Sequence, residues 1–588
     1  MRYIFSLILL PIRLIILFYY YLRNALAKGN HVYLEIPPSF TESQKSFLIR
    51  KIQGEADYPF YIDFISNLTL IRKDTRVKYL SLLIPKMDLG FSEIQTIYNE
   101  LERIKKNGVS LFGYSEEGDL KSLFLLSICD KRYSSATSEF NSILPSIDSM
   151  FFGELAKKWK VKVDVFKSGA YKSFGEIFTR RNFSKEAKSN LSILIQDLRN
   201  EIISPIQNNS SLNEKILQKP ILNSEYLYEI KFFNGLLEYD DFKSNYQFTN
   251  LDELLKLNEN NLEKLHEDKQ SKPNSKILTL KSIEIRDKIK NFKLLMIKKS
   301  IIAILPMNGE ISEGDKNDPE LKSGVIERHS TIKILNELKE NKNIKALVLH
   351  IDSPGGSAID SEKIYMALKS FDKKIPVYTY ISNTCASGGY YIACSSRKIF
   401  SNSIGIVGSI GTIMMRFDLE GLYKKFGIFK DRIGFYPHRE IFTESGSLSK
   451  ESQNFLNQEI QRVESLFIKR VSESRNLDKY IFEKMGGGRV FSPSKFIDKK
   501  FIDKKISFIE CLEEIKEELS LKYAKINYLA PNYNLKIALR KSIPFLKLFS
   551  DFEYRSLLKK LIGLNQRNSK IEIYFLNPLI PSIKNFIK

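Results

Sequence analysis

Between Ile344 and Met415 apolar positions recur in blocks whose spacing changes in a regular way. Ile344-Lys-Ala-Leu-Val-Leu-His-Ile-Asp352 is apolar and β-branched, which reads as a buried strand. Ser353-Pro-Gly-Gly356 follows, and amphipathic spacing predicts a helix from near Ile359. Ile375-Pro-Val-Tyr-Thr-Tyr-Ile381 reads as a second strand that runs into Asn383-Thr-Cys-Ala-Ser-Gly-Gly389, with another helix from Tyr390. Two consecutive strand–helix units therefore each close on a glycine-rich turn.

The first half repeats this pattern in worn form. Lys78-Tyr-Leu-Ser-Leu-Leu-Ile84 parallels Lys345-Ala-Leu-Val-Leu-His-Ile351, and Ile94 to Leu101 parallels Glu362 to Leu368. Gly169-Ala-Tyr-Lys172 parallels Gly434-Phe-Tyr-Pro437, and Ser184-Lys-Glu186 parallels Ser449-Lys-Glu451. An ordered series of matches at a near-constant offset indicates a tandem duplication of one α/β unit. The early copy has Pro85-Lys-Met-Asp-Leu-Gly90 at the first turn and Glu117-Gly-Asp-Leu-Lys121 at the second, so both glycine-rich turns are lost. Pro437 stands in the second copy where the first has Lys172.

At the amino terminus, Tyr3 to Leu22 is apolar apart from Ser6 and Arg13, about the length of a membrane span. A mid-helix arginine costs roughly 2.5–3.5 kcal/mol, which more than ten flanking apolar residues at about 0.3–0.6 kcal/mol each outweigh. The expectation is a membrane helix within residues 1–28. Flanking charge is too balanced to orient it. Residues 184–272 read as helical and charged, 273–299 as a connector, and 529–588 as a basic tail interrupted by prolines.

Composition adds less. With 91 Lys+Arg against 69 Asp+Glu the net charge is +22, which fits a solvated basic surface or attraction to anionic lipid. No zinc-finger, basic-helix or RNA-binding signature accompanies it, so nucleic acid is not an expected partner. Cys129, Cys385, Cys394 and Cys511 have neither metal nor disulfide spacing, and the five histidines form no HExxH. His350, inside an apolar strand, reads as a core imidazole.

The turns carry the candidate chemistry. A small hydroxyl residue at a strand-to-helix turn, followed by two glycines, exposes its oxygen beside the free N–H groups of the new helix. Ser387 has that setting, and the neighbouring Ser353-Pro-Gly-Gly356 turn adds outward N–H groups. Gly356 and Gly388 are the candidate oxyanion donors, with Gly355 an alternative to Gly356. A serine needs a base, and no histidine falls into a triad order. A lysine serves when burial lowers its pKa.

These turns, with Val407-Gly-Ser-Ile-Gly411 and Gly486-Gly-Gly-Arg-Val-Phe491, resemble the Clp-protease/crotonase group. Within it they resemble the long form of the signal peptide peptidase A (protease IV) family. The resemblance implies two tandem Clp-protease/crotonase-like α/β units with helical excursions, preceded by an N-terminal membrane helix. Residues 29–272 would form a degenerate unit supplying a lysine, and 300–528 a second unit supplying a serine. The family's Gly-x-Tyr-Lys-Ser motif falls on Gly169-Ala-Tyr-Lys172-Ser173, which makes Lys172 the expected general base and Ser387 the nucleophile. Ser409 falls where the family hydrogen-bonds the lysine amine.

The implied function is hydrolysis of released signal peptides and other unfolded or membrane-derived peptides through an acyl-enzyme, with no cofactor or metal. The implied setting is a homotetramer, anchored by a single pass in the cytoplasmic membrane beside lipid, with its catalytic part on the extracytoplasmic side. A crotonase-like acyl-CoA enzyme would share the fold without explaining Lys172 and Ser387. An inactive membrane scaffold would not need to retain either.

Overall fold

A computed structural model describes residues 10–27, 29–41, 59–248, 277–292, 300–317, 321–431, 433, 438–521 and 524–529. It contains two main sheets. The first orders the strands His31–Glu35, Tyr79–Leu83, Ser110–Tyr114, Lys131–Ser134 and Gly235–Leu236, every neighbouring pair parallel. The second repeats this order with Ser300–Ser312, Ile344–Gly356, Val377–Ala386, Lys398–Ser401 and Lys504–Lys505, again parallel. Corresponding helices follow corresponding strands: Phe91–Lys106 and Leu120–Ser127 in the first copy, Ala358–Asp372 and Gly388–Ala393 in the second. A parallel sheet needs such crossovers and is covered on both faces, which is why its central strands carry uninterrupted apolar runs. Every residue of Val377–Ala386 is buried.

Both functional strands are longer than the sequence suggests. Ile344–Gly356 absorbs the whole Ser-Pro-Gly-Gly turn, because Gly355 and Gly356 pair with Glu310 and Ile311 after a register shift. A Cβ on Gly356 would stand 2.2 Å from the Ile311 carbonyl oxygen, and φ there is +154°, so only glycine lets the strand continue. The next strand likewise runs to Ala386, and its helix begins at Gly388, two residues before the expected Tyr390.

The two copies are interleaved. Strand Lys162–Lys167 of the first pairs antiparallel with Ile413–Asp418 of the second. Gln95 Oε1 accepts from the Ser403 backbone N–H at 2.9 Å, and Asn190 exchanges hydrogen bonds with the Val490 backbone at 2.8 and 2.9 Å. Arg72 and Arg103 both reach Glu513 at 2.5 Å. Ala386, Ile404, Ile406 and Val490 of the second copy are packed into the first copy's apolar core. This packing carries Lys172 to the second copy's glycine turns.

The expected membrane span is not obtained among the described residues. Leu10–Leu26 is a helix of 17 residues that packs against Leu280–Lys290. No described helix is long and apolar enough to cross a membrane. At about 1.5 Å per residue it falls short of a hydrocarbon core roughly 30 Å thick. Residues 1–9, the repeat landmark Gly434–Pro437 and the tail from 530 onward lie outside the described residues.

Candidate active site

Ser387 ends the fully buried strand and precedes helix Gly388–Ala393, at φ +56° and ψ −118°. A serine held at positive φ costs about 1–3 kcal/mol, and its surroundings must impose it. Its backbone N–H donates to the Gly408 carbonyl at 2.8 Å, and its carbonyl accepts from Tyr391 N–H at 2.9 Å. The side chain caps nothing, so the hydroxyl is free for other use. The first copy shows the contrast. There Asp119 precedes helix Leu120–Ser127, and its Oδ1 accepts from Lys121 and Ser122 N–H at 2.9 and 3.1 Å. A carboxylate thus consumes the helix N–H groups that the second copy leaves open.

Lys172 arrives from the loop after strand Lys162–Lys167. Its Nζ lies 2.7 Å from Ser387 Oγ, 3.0 Å from Ser409 Oγ and 3.1 Å from the Ser409 carbonyl oxygen. Lys172, Ser387 and Ser409 each have 0% exposure. Burial disfavours the ammonium and holds the Lys172 amine well below the ordinary lysine value, while Glu464 pulls in the opposite direction. Ser409 is itself held at φ +54°, with its N–H on the Arg489 carbonyl at 2.6 Å. The structure therefore brings together three residues drawn from widely separated parts of the sequence.

A second glycine turn clamps the lysine loop. Tyr171 N–H donates to the Gly487 carbonyl at 3.0 Å, and Gly488 N–H to the Ile410 carbonyl at 2.8 Å. The Arg489 guanidinium lies 3.8 Å from the Tyr171 ring centroid. A Cβ at Gly488, where φ is +86°, would meet Lys172 N at 2.6 Å. Gly488→Ala is therefore expected to displace the lysine and lower kcat at least about tenfold, since small misplacements of a reacting group are costly. Wild-type kcat with a shifted melting temperature would show that the clamp serves stability alone.

Of the oxyanion candidates, Gly355 N–H is engaged by Ser353 Oγ at 3.2 Å. A Cβ on Gly388 would lie 3.3 Å from Gly356 N, so the Gly356 and Gly388 backbones adjoin. Asp352 and His350 stand behind the turn. His350 is stacked on Tyr380, near Phe508, and burial alone pushes its pKa down to about 4. It is a neutral core imidazole. No group of acidic, cysteine or histidine side chains among the described residues has metal-site geometry.

Sequence reasoning missed Glu464 and Arg489 as neighbours of the site. Glu464 sits in the charged helix Lys450–Arg475 and has no motif around it. The Gly-Gly-Gly-Arg run was a visible signal, but its target, the lysine loop, was not.

The pattern of peptidase family S49 matches residues 113–224 and 369–522, which bracket the site from both copies. Serine protease SPPA, chloroplastic, of Arabidopsis thaliana is 25% identical over 446 residues, covering 74% of this chain and 62% of that protein. Protease 4 of Haemophilus influenzae is 25% identical over 464 residues, covering 77% of this chain and 72% of the relative. Among solved structures, a ClpP1 mutant from Listeria monocytogenes matches at 16% identity and a TM-score of 0.25, over 36% of this chain and 94% of that one. With the family pattern falling on both copies and relatives aligned across most of its length, the chain resembles peptidase family S49.

Proposed function

We propose that the chain is a serine endopeptidase in which Ser387 is the nucleophile and Lys172 the general base. The observation that carries this reading is the 2.7 Å approach of a fully buried lysine amine to a hydroxyl that caps no helix. The neutral amine takes the Ser387 proton as Oγ attacks a peptide carbonyl carbon. Gly356 and Gly388 N–H groups stabilise the oxyanion. Collapse breaks the C–N bond, the leaving amine receives the proton from Lys172, and water activated by the same amine releases the acyl group. Ser409 orients the amine throughout.

A hydroxyl without solvent exposure cannot meet a carbonyl on a folded surface, whereas an extended segment can be threaded to it. This favours unfolded peptides, released signal peptides among them, as substrates. Incubating the purified chain with an unfolded protein and with its folded counterpart tests the reading. Cleavage of the unfolded form alone, with a transient ester on Ser387 by mass spectrometry, is expected. Equal cleavage of both, or none, removes it.

Residues 1–27 are proposed to associate the protein with a membrane, with the catalytic units on its extracytoplasmic side. Helix Leu10–Leu26 exposes Ile15 and Phe18, which supports contact with lipid. Co-flotation of the purified protein with lipid vesicles, lost on deleting residues 1–27, is the expected outcome. Assembly into a homotetramer is supported by an open apolar hollow of about 580 Å³ lined by Phe152, Leu155, Trp159, Phe178 and Phe426. Phe429 and Ile433 nearby in sequence are strongly exposed, at 78% and 95%. Exposed apolar area of this kind marks an interface. Trp159→Asp with Phe429→Asp is expected to reduce the mass measured by light scattering to that of smaller species.

A further inference from the structure

We propose that Glu464 is a positioning residue for the Ser387–Lys172 pair, presenting from helix Lys450–Arg475 the negative charge that the lysine faces when it carries a proton. The proposal rests on the reading of Ser387 and Lys172 as a catalytic pair. It goes beyond that reading by adding an acidic partner.

The placement follows from a short chain of contacts. Thr412 Oγ1 donates to the Ile460 carbonyl at 3.0 Å, which pins the helix to the segment just beyond Ser409. Thr412 N–H in turn donates to Ser168 Oγ at 2.7 Å, and Ser168 N–H donates back to the Thr412 carbonyl at 3.0 Å. Glu464 lies four residues after Ile460, one turn further along the same helix face, and Ser168 Oγ donates to the Thr412 carbonyl at 3.3 Å. Ser168 is four residues before Lys172 in the same loop. The helix that carries Glu464 is therefore held beside the lysine loop by a ladder of helix, strand and turn.

The other charges around the loop are engaged elsewhere. Lys167 lies 3.9 Å from Glu176, whose Oε2 accepts from Ser184 N–H. Arg489, on the glycine clamp, stacks on Tyr171. Asp164, on the strand leading in, is paired with Arg416 at 3.1 Å. Ser387 and Ser409 contribute only neutral oxygens. Among the described residues Glu464 is the charged group that acts on Lys172, and burial raises its own carboxyl pKa against the pull of the lysine.

This explains how a fully buried amine can work in a proton cycle. Desolvation alone makes the amine available as a base but penalises the ammonium it becomes when Ser387 gives up its proton. A nearby carboxylate offsets that penalty without contacting the substrate. The sign is definite: removing the negative charge lowers the Lys172 pKa further, so the base is available at lower pH but is weaker.

The test is the pH profile of kcat/KM on an unfolded peptide for wild type, Glu464→Gln and Glu464→Asp, with fluorophosphonate labelling of Ser387 followed in parallel. Glu464→Gln keeps the shape but not the charge. Its rising limb is expected to move down by roughly one pH unit, with a plateau lowered about three- to tenfold and KM unchanged. Glu464→Asp is expected to restore the wild-type limb at least in part. If wild type is active and labels while Glu464→Gln keeps the wild-type limb, the inference fails and the catalytic pair stands. If neither turnover nor labelling at Ser387 occurs in wild type, the catalytic pair fails and the inference falls with it.

Discussion

Ser387→Ala is expected to abolish peptide hydrolysis while leaving the fold and assembly intact. Removing a serine nucleophile lowers kcat by roughly six orders of magnitude in enzymes that depend on one, leaving only oxyanion and binding contributions. Here the substitution removes one oxygen from a position whose backbone is already held by Gly408 and Tyr391. Nothing in the main chain needs to move. Loss of the hydroxyl partner also leaves Lys172 with Ser409, so the loop remains tethered. Turnover of the alanine variant within a few-fold of wild type, with a circular dichroism spectrum matching wild type, would sink the assignment.

Lys172→Met should have two effects of opposite kind. Hydrolysis falls by about 10²–10⁴-fold, the usual contribution of a general base. Stability responds differently, because burial holds the lysine well below its ordinary value of 10.5 in the folded chain. Between the folded and unfolded values the unfolded chain binds more protons, so the contribution of this group to stability rises with pH. Its cost is fully present below the folded value and vanishes above the unfolded one. Methionine removes that cost, although it leaves the Ser387 and Ser409 hydroxyls without the amine. The melting temperature of Lys172→Met relative to wild type should therefore be more favourable at pH 6 than at pH 10. An equal difference at both pH values would mean that the lysine is not buried in solution. In wild type, activity should rise with pH as the amine deprotonates, and that limb should be missing from the residual activity of the variant.

The two copies show why only one turn stays reactive. Both begin a helix directly after a parallel strand, so both offer free N–H groups at the same point of the sheet edge. In the first copy Asp119 satisfies them and Ser122 completes a reciprocal capping box. In the second, Ser387 is turned by its positive φ away from the cap, and Gly388 and Gly389 supply N–H groups without side chains. A capped helix start is more stable, and an uncapped one is available to a reacting carbonyl. The stable arrangement is the structural copy and the strained one is the candidate active site.

The strands around Ile344 and Val377, the glycine turns and the duplication were all legible in order along the chain. Each is written in local periodicity or in residues that only one backbone shape accepts. Ser387 was legible for the same reason, since a hydroxyl before two glycines at a strand end is a local pattern. Lys172 was singled out only through a family motif, because nothing about a lysine in a loop announces burial. Glu464 was not legible at all, and the Gly-Gly-Gly-Arg run and Tyr171 were legible only as separate motifs, not as a stack. Their roles depend on interleaving two copies, which pairs Lys162–Lys167 with Ile413–Asp418 and lays Lys450–Arg475 across both. Local sequence sets dihedral preferences and which face is apolar, and those determined the elements. The pKa of a buried amine and its partners depend on distances between residues hundreds of positions apart, and only the packed tertiary structure decided them.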